Sequence, residues 1–324
     1  MLHAWGNYLF FLLKSLTFFI LAFIFFAAIL SLFAKNKPKN QQIELIDLNQ
    51  EWKEREKNLN KKILSKKAFK QFEKNLKSKK VSEPKRIYLL NFHGDLAASA
   101  VEQLREEITT ILQIAQAEDE VVLKLESPGG MVQAYGLAAA QLARLKNRDI
   151  RLTVCIDKVA ASGGYLMACV ADHIIAAPFA IVGSIGVLAQ IPNFHRLLKK
   201  HNIDFEQITA GNYKRTLTLF GKNTEEDREK MQADLNEIHK AFMNYIMAYR
   251  KKVSIQEVAT GEYWLAVDAI KLNLIDELLT SDDYLFKLTQ ENQVYSLSYM
   301  KKKSFWRKWN AKMKSFISSN LTKL

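Results

Sequence analysis

Four stretches of the chain differ in their pattern of hydrophobic and polar positions. Residues 1–34 are almost wholly apolar, and Lys14 is their only charged side chain. Residues 35–85 are rich in lysine with a thin helical stripe of apolar positions, residues 86–300 alternate short apolar runs with amphipathic segments, and residues 301–324 mix basic and aromatic positions. This pattern predicts, in order, a membrane anchor, a basic helical stalk or linker, a folded domain and an amphipathic tail.

Two apolar runs are long enough to be considered as membrane spans. The 19 uncharged residues Ser15–Phe33 would span about 28 Å as a helix, close to the roughly 30 Å hydrocarbon core of a bilayer. This segment has neither a basic start nor a small-residue cleavage site, so it predicts an uncleaved transmembrane helix. The second run, Lys158–Pro192, contains glycine pairs, Pro178 and the Asp172–His173 pair, which suit a lipid-facing helix poorly. We therefore predict that it forms buried strands and turns.

The pattern within residues 86–300 is that of an α/β domain. A long amphipathic helix is predicted after Thr224, which forms a capping box with Asp227. Strands separated by helices of this length make right-handed βαβ units and a parallel sheet with flanking helices. The predicted strands cover residues 86–92, 120–126 and 149–157, and the predicted helices cover residues 97–117, 132–146 and the segment from Ser162 onward.

The net charge of +13 is unevenly distributed. Residues 34–86 hold 17 Lys and Arg against 7 Asp and Glu, and residues 301–324 hold 8 Lys and Arg and no acid, whereas residues 87–300 hold 21 against 27. The acidic domain argues against nucleic-acid binding. The basic and aromatic faces of the tail are typical of a helix on an anionic membrane surface, and docking on the protein's own domain is the alternative. Cys155 and Cys169 are predicted to be buried, and no metal site is indicated.

Three short polar segments of the domain could carry chemistry: SPGG at 127–130, AASGG at 160–164 and AGNYKR at 210–215. Ser162 falls at a predicted strand-to-helix turn, at the sheet edge where α/β folds bind ligands. The glycines after it would expose backbone N–H groups at a helix N-terminus, and Gly130 could present a second N–H there, which would make an oxyanion hole. The alternative is that Ser162 only caps its helix.

A nucleophilic serine needs a general base, and the residue types alone leave its identity open. A lysine base must have a pKa near 7 instead of the usual ~10.4, a change worth about 4 kcal/mol that burial can supply. Lys214 is flanked by aromatic and apolar residues, whereas Lys158 follows a strand end and is predicted to be solvated. The chain also has six histidines, none of which sits in a distinguishing pattern: His3, His93, His173, His195, His201 and His239.

Five segments resemble, in order, the signal peptide peptidase SppA family of membrane-anchored serine proteases, most closely its SohB branch. They are LKLESPGG, DKVAASGGYLMACVAD, APFAIVGSIGV, TAGNYKRTLTLFGKNTEEDREK and NLIDEL, and the resemblance covers about residues 86–280. It implies a ClpP/crotonase-like fold and a Ser–Lys dyad, with Ser162 as nucleophile and Lys214 as general base. It further implies that Ser184 holds the lysine nitrogen, that the N–H groups of Gly130 and Gly163 form the oxyanion hole, and that no metal or cofactor is used.

The resemblance also implies an endopeptidase of the bacterial inner membrane that forms homo-oligomers and cleaves signal-peptide remnants or other small or unfolded membrane-associated polypeptides. The alternatives are a catalytically idle membrane scaffold of the same fold and a crotonase-type acyl-CoA enzyme, whose chemistry uses Glu or Asp. Lysines after Phe33 favour a cytoplasmic domain, whereas the relatives are usually placed at the periplasmic face. One departure is Leu265–Ala266 in place of the glycine of the family's W-x-G, which leaves the turn near Ala266 in question.

Overall fold

The computed structural model describes residues 2–34, 42–78, 85–211 and 213–300. The chain divides into two compact units, of which the first contains helix α1 (Leu2–Ala34). Side chains are described there for residues 10–26, and nearly all of them are exposed. Among the described residues, we find no helix with both the length and the apolar character needed to cross a bilayer. The transmembrane anchor predicted over residues 1–34 is therefore not supported by the structure, and the predicted tail at 301–324 lies outside the described residues.

The second unit, Ile43–Met300, contains the other elements. Its helices are α2 (Leu48–Ile63), α3 (Lys66–Ser78), α4 (Val101–Ile114), α5 (Val132–Lys146), α6 (Gly163–Ala168), α7 (His195–Lys200), α8 (Glu225–Tyr249), α9 (Ile255–Val258), α10 (Ala266–Ala269) and α11 (Ser281–Glu291). Its strands are β1 (Gln42–Asp47), β2 (Arg86–His93), β3 (Glu120–Glu126), β4 (Arg151–Ile156), β5 (Val159–Ala161), β6 (His173–Ala176), β7 (Ile181–Gly183), β8 (Tyr263–Leu265), β9 (Glu277–Leu278) and β10 (Gln293–Met300).

Seven strands form the main sheet in the order β1-β10-β2-β3-β4-β6-β9, and the pairs from β10 to β9 are all parallel. Alternate residues of β2 face opposite layers: Tyr88 and Leu90 pack with α4, α5 and α6, whereas Ile87 and Leu89 pack with α2 and α11. Burial on both faces explains why these strands are continuously apolar. The predicted α/β fold with a parallel sheet and flanking helices is confirmed.

Strands β5, β7 and β8 form a second, smaller sheet. β5 and β7 are parallel, and β8 adds an antiparallel pairing that the sequence did not indicate. The segment IVGSIGVLAQI, which reads as one strand, stops at Gly183 because Gly183 and Ser184 have positive φ angles of 105° and 52°. Such angles lie outside the extended region, so the chain turns here.

The apolar run Lys158–Pro192 belongs to the folded domain, as predicted; most of its residues between Ala160 and Ile185 are buried, whereas residues 188–192 at its end are exposed. It folds as β5, α6, β6 and β7, and Tyr165 and Val182 are among its fully buried side chains. The two cysteines, Cys155 and Cys169, are also buried as predicted, and burial raises the pKa of both thiols.

Part of the segment predicted as a stalk over residues 35–85 packs on the domain through Leu48, Asn49 and Trp52, so the compact unit begins before residue 86. Strand β1 lies beside β10, and Asn49 at the start of α2 makes three bonds to distant backbone. Its Oδ1 accepts from the N–H of Val294 (2.7 Å), and its Nδ2 donates to the carbonyls of Thr289 and Asn292 (2.9 Å each). The compact unit therefore begins at Ile43.

Local side-chain hydrogen bonds fix several element boundaries. The capping box predicted at Thr224 and Asp227 is confirmed at the start of α8. Helix α4 begins at Val101, later than predicted, because the carboxylate of Asp95 accepts from the Ser99 N–H (2.8 Å) and holds a turn. Ala266 stands where the resemblance leads us to expect glycine, yet it is buried and its N–H donates to the carbonyl of Ala180 (2.8 Å). An alanine therefore fits this turn.

A largely buried ion pair ties the end of α8 to the segment before β9. The side chain of Arg250 is 9% exposed, and its two Nη atoms donate to the carboxylate of Asp276 at 2.8 and 2.9 Å. Arg250 also donates to the carbonyl of Asn273 (2.8 Å). Burial opposes the charge on Asp276, but the hydrogen bonds from Arg250 and from the Ile174 N–H hold the pKa of this carboxyl below its usual range.

We expect Arg250→Ala to lower the free energy of unfolding by about 3 kcal/mol, because it leaves the partly buried Asp276 without its cation. Denaturant unfolding at neutral pH measures this loss. The matched control is Lys271→Ala, which breaks the 2.7 Å pair with Asp268 between side chains that are 73% and 55% exposed. Its expected cost is below about 1 kcal/mol, and equal costs for the two substitutions would contradict the prediction.

Candidate active site

The C-terminal ends of β3, β5 and β7 lie side by side and bring three glycine-containing segments together. Ser127, the first residue after β3, donates its N–H to the carbonyl of Val159 (2.8 Å) and accepts from the N–H of Ala161 (3.0 Å). Strand β5 pairs in turn with β7, with Ala161 opposite Gly183. The segments SPGG, ASGG and GSIGV therefore meet at one edge, where the sequence places the chemistry.

Ser162 forms a strained turn between β5 and α6. Its backbone has φ 51° and ψ −120°, and its N–H donates to the carbonyl of Gly183 (2.8 Å). A non-glycine residue in such a conformation costs about 1–3 kcal/mol and is typical of functional sites. The side chain makes no capping bond to α6, so the alternative that Ser162 only caps its helix is wrong. The half-buried hydroxyl has no hydrogen-bond partner among the described residues.

Two backbone N–H groups beside this turn have no acceptor in the part of the chain that the structure describes. Gly163 is the first residue of α6, where an N–H has no partner within the helix. Gly130 belongs to the SPGG loop, and a Cβ there would overlap the carbonyl of Leu96. A Cβ on Gly129, which has φ 90°, would lie 2.8 Å from both the Gly163 nitrogen and the Ser162 Cβ. The loop thus approaches Ser162 closely, and free N–H groups at this position suit a developing negative charge.

Ser184 follows β7 directly and lies beside the Ser162 turn. It too has a positive φ of 52°, and its N–H donates to the carbonyl of Glu262 (2.6 Å), just before β8. A Cβ on the preceding Gly183 would lie 2.7 Å from the ring of Trp264, so only glycine fits there. The two serines therefore stand at the ends of paired parallel strands, each one residue past the Ala161–Gly183 pair.

Lys214 lies apart from these contacts, in an exposed loop. Its N–H donates to the carbonyl of Gly211 (3.2 Å), and its side chain is exposed, so the predicted partial burial is wrong for this structure. Neighbouring apolar side chains such as Ile208 and Tyr213 are exposed as well and do not cover it. Lys158 is solvated as predicted: it is 71% exposed and pairs with Glu126 at 3.0 Å.

Of the five histidines whose side chains are described, four have partners other than Ser162, and the fifth, His201, is exposed. His173 lies 3.2 Å from a carboxylate oxygen of Glu277, and the Nε2 of His239 lies 3.3 Å from the carbonyl of Ile185. His93 is 3.8 Å from Glu126 and 77% exposed. No described histidine therefore stands out as the base of Ser162.

Sequence reasoning missed a buried pair of hydroxyl groups behind the site. The Ser127 Oγ and the Tyr135 Oη are 2.6 Å apart, Tyr135 donates to the carbonyl of Asp95 (2.8 Å), and Ser127 accepts from the N–H of Gly129 (3.1 Å). Tyr135 falls at a core position of α5, where a pattern of apolar spacing indicates packing alone. The only available signal was a serine immediately before the PGG turn.

Comparison with known proteins gives consistent matches. The profile of peptidase family S49 matches residues 144–295, and that of the peptidase family S49 N-terminal region matches residues 4–142. The chain is 46% identical over 317 residues to a probable protease SohB of Haemophilus influenzae, which covers 92% of this chain and 90% of that protein. It is 50% identical over 240 residues to a probable protease SohB of Buchnera aphidicola subsp. Acyrthosiphon pisum, with 74% and 71% covered.

Solved structures with a similar chain path include a mutant of the 1510-N membrane-bound stomatin-specific protease in complex with a substrate peptide. The two chains are 14% identical with a TM-score of 0.44, and the match covers 72% of this chain and 100% of that chain.

Proposed function

This chain belongs to the SppA family of peptidases, peptidase family S49, in its SohB branch, and on that premise we propose that it is an endopeptidase with a Ser162–Lys214 dyad. The observation that carries the proposal is the Ser162 turn. The strained backbone, the hydroxyl without a capping role and the unpaired N–H groups of Gly130 and Gly163 are what a serine nucleophile with an oxyanion hole requires.

The proposed reaction has two halves. The neutral amine of Lys214 takes the proton of Ser162 as Oγ attacks the scissile carbonyl carbon, and the N–H groups of Gly130 and Gly163 hold the oxyanion. The Lys214 ammonium then gives this proton to the leaving amine, the C–N bond breaks, and an ester on Ser162 remains. Water, deprotonated by Lys214, attacks the ester and releases the acid, which restores both side chains.

Two features of the proposed scheme, the position of Lys214 and the partner of Ser184, require a rearrangement of the site. Lys214 is exposed in the structure, so we propose that substrate binding or self-association covers its loop and brings the amine to Ser162. In that arrangement the Ser184 hydroxyl, which stands beside Ser162 and has no described partner, holds the Lys214 nitrogen. We propose that the fold is ClpP/crotonase-like and that it allows Ser162, Lys214 and Ser184 to come together in this arrangement.

Exposed apolar side chains near the site favour an apolar, extended substrate. Leu96, whose carbonyl accepts from the Met131 N–H beside Gly130, is 72% exposed, and Leu188 downstream of Ser184 is 75% exposed. We therefore propose that the enzyme cleaves signal-peptide remnants or other small or unfolded membrane-associated polypeptides. The same exposed apolar positions support the proposal that it forms homo-oligomers.

The function is tested by incubating the detergent-solubilised full chain with casein and with a short apolar peptide, between about pH 6 and about pH 10. We expect hydrolysis that increases with pH, and covalent modification of Ser162 by a fluorophosphonate, located by mass spectrometry. A folded chain that neither cleaves these substrates nor reacts with the probe would contradict the proposal.

We also propose that residues 1–34 attach the enzyme to the bacterial inner membrane. Support comes from the 19 uncharged residues of Ser15–Phe33 and from exposed apolar side chains along α1, such as Phe18 and Phe23. The lysines after this segment favour a cytoplasmic domain.

We expect the full chain to remain in the membrane pellet after alkaline carbonate extraction. Each CH₂ group of residues 1–34 that is buried in lipid stabilises the attachment by about 0.8 kcal/mol. A chain that lacks residues 1–34 should appear in the supernatant, and the control that lacks residues 301–324 should stay in the pellet. Release of the full chain would overturn membrane attachment.

A further inference from the structure

We infer that Tyr135 is a positioning residue for the oxyanion hole. Its side chain contacts both the SPGG loop and the Ser162 turn and keeps the two at a fixed distance. The inference rests on the proposed function and deepens it. The two N–H donors, from Gly130 and Gly163, belong to different loops that no continuous element joins. The backbone bonds of Ser127 to β5 join the two segments at their start, and Tyr135 contacts both of them nearer to the two donors.

The hydroxyl of Tyr135 controls the SPGG loop through a chain of hydrogen bonds. It lies 2.6 Å from the Oγ of Ser127 and donates to the carbonyl of Asp95 (2.8 Å), so Ser127 is the donor between the two hydroxyls. The Ser127 Oγ accepts in turn from the N–H of Gly129 (3.1 Å), next to Gly130. The hydrogen bonds therefore run in one direction, from the Gly129 N–H through the Ser127 and Tyr135 hydroxyls to the Asp95 carbonyl. Through them the Tyr135 phenol links the loop after β2 to the loop after β3.

The ring of Tyr135 controls the other loop by packing. A Cβ placed on Gly163 would overlap the ring carbons of Tyr135, so the backbone of the nucleophile turn lies directly against the ring. The side chain is fully buried, and the ring of Phe92 packs edge-on against it with centroids 6.5 Å apart. The ring therefore cannot move without displacing the Gly163 N–H. Burial also raises the pKa of the Tyr135 phenol, so it stays a neutral donor.

The catalytic consequence follows from how an oxyanion hole acts. One donor of such a site is worth about 10²–10³ in kcat, and a displacement of about 1 Å is enough to lose much of such an effect. Loss of the Tyr135 hydroxyl breaks the link between Ser127 and the Asp95 carbonyl, which loosens the SPGG loop without removing either donor. The oxyanion is held less well in the transition state, whereas a bound peptide with a neutral carbonyl is affected little.

The test is Tyr135→Phe, which keeps the ring and removes the hydroxyl. We expect kcat for an apolar peptide to fall about 10-fold or more, with KM within about 2-fold. Affinity for a peptide aldehyde, which forms a tetrahedral adduct with Ser162, should fall in proportion to kcat, and affinity for the product peptide should not. If Tyr135→Phe fails to fold, Ser127→Ala breaks the same link from the other side and should show the same division between kcat and KM.

Tyr165→Phe is the matched control. Tyr165 is equally buried, and its hydroxyl donates to the carbonyl of Leu274 (2.9 Å), away from the SPGG loop. Tyr135→Phe removes two buried hydrogen bonds and Tyr165→Phe removes the bond to Leu274, so both variants should lower the melting temperature, Tyr135→Phe by more. Only Tyr135→Phe should lower kcat and aldehyde affinity. Equal kcat in wild type and Tyr135→Phe would overturn the inference alone, as would equal losses of kcat in the two variants. A wild-type chain that is inactive and unmodified at Ser162 would overturn the proposed function and the inference with it.

Discussion

Ser162→Ala is expected to lower peptide hydrolysis by at least about 10⁴-fold while the fold stays intact. Removal of the nucleophile from a serine protease leaves only the contribution of substrate binding and the oxyanion hole. The substitution should cost little stability, because the Ser162 side chain caps no helix and has no described hydrogen-bond partner. Alanine is strained at φ 51° to about the same degree as serine, so the turn itself gains or loses little.

The measurement is initial rate on casein and on an apolar peptide, together with the melting temperature. Ser254→Ala is a suitable control, because Ser254 also precedes a helix, α9, without making a capping bond. It should leave the rate and the melting temperature unchanged. If Ser162→Ala keeps wild-type hydrolysis, and the fluorophosphonate labels no contaminating serine protease in the sample, the peptidase activity resides elsewhere in the chain.

Lys214→Ala is expected to lower the rate by about 10² to 10⁴-fold, which is the usual contribution of a general base. Lys214→Arg should be equally inactive, because guanidinium stays protonated in proteins and cannot accept the serine proton. Loss in both variants would therefore identify proton transfer, and not positive charge, as the role of Lys214.

Lys158→Ala provides the matched control, since Lys158 is nearer to Ser162 in sequence but is exposed and paired with Glu126. We expect it to keep wild-type activity, measured from about pH 6 to about pH 10. Full activity of Lys214→Arg, or loss in Lys158→Ala alone, would reassign the base.

The elements that the sequence predicted correctly are those whose pattern is complete within one segment. Helix α5 and strand β3 match the predicted residues 132–146 and 120–126 because each combines a full apolar period with clear ends. The capping box at Thr224 is equally local, since its reciprocal bonds lie within three residues. The SPGG and ASGG segments follow strand ends, so their meeting at one edge follows from parallel pairing.

The features that escaped prediction depend on contacts between distant residues. Asn49 reads as part of a charged stalk, but its bonds to Thr289, Asn292 and Val294 join residues at least 240 positions apart. Strand β8 is only three residues long and gains its identity from pairing with β7. Tyr135 carries a polar function inside an apolar pattern, and spacing cannot reveal which loop a buried hydroxyl will reach. The exposure of Lys214 likewise depends on what packs over its loop.

The strand order has a consequence for the timing of synthesis. The last strand, β10, lies between β1 and β2. Strand β8 comes about a hundred residues after Ser162, directly after Glu262, whose carbonyl accepts from the Ser184 N–H. A ribosome adds roughly 5–20 residues per second, and domains fold as units. The nascent chain therefore exposes Ser162, the proposed nucleophile, for seconds before β8 and β10 have been translated. Under the proposed function, which is the cleavage of unfolded polypeptides, the enzyme therefore becomes active only after its own chain has folded.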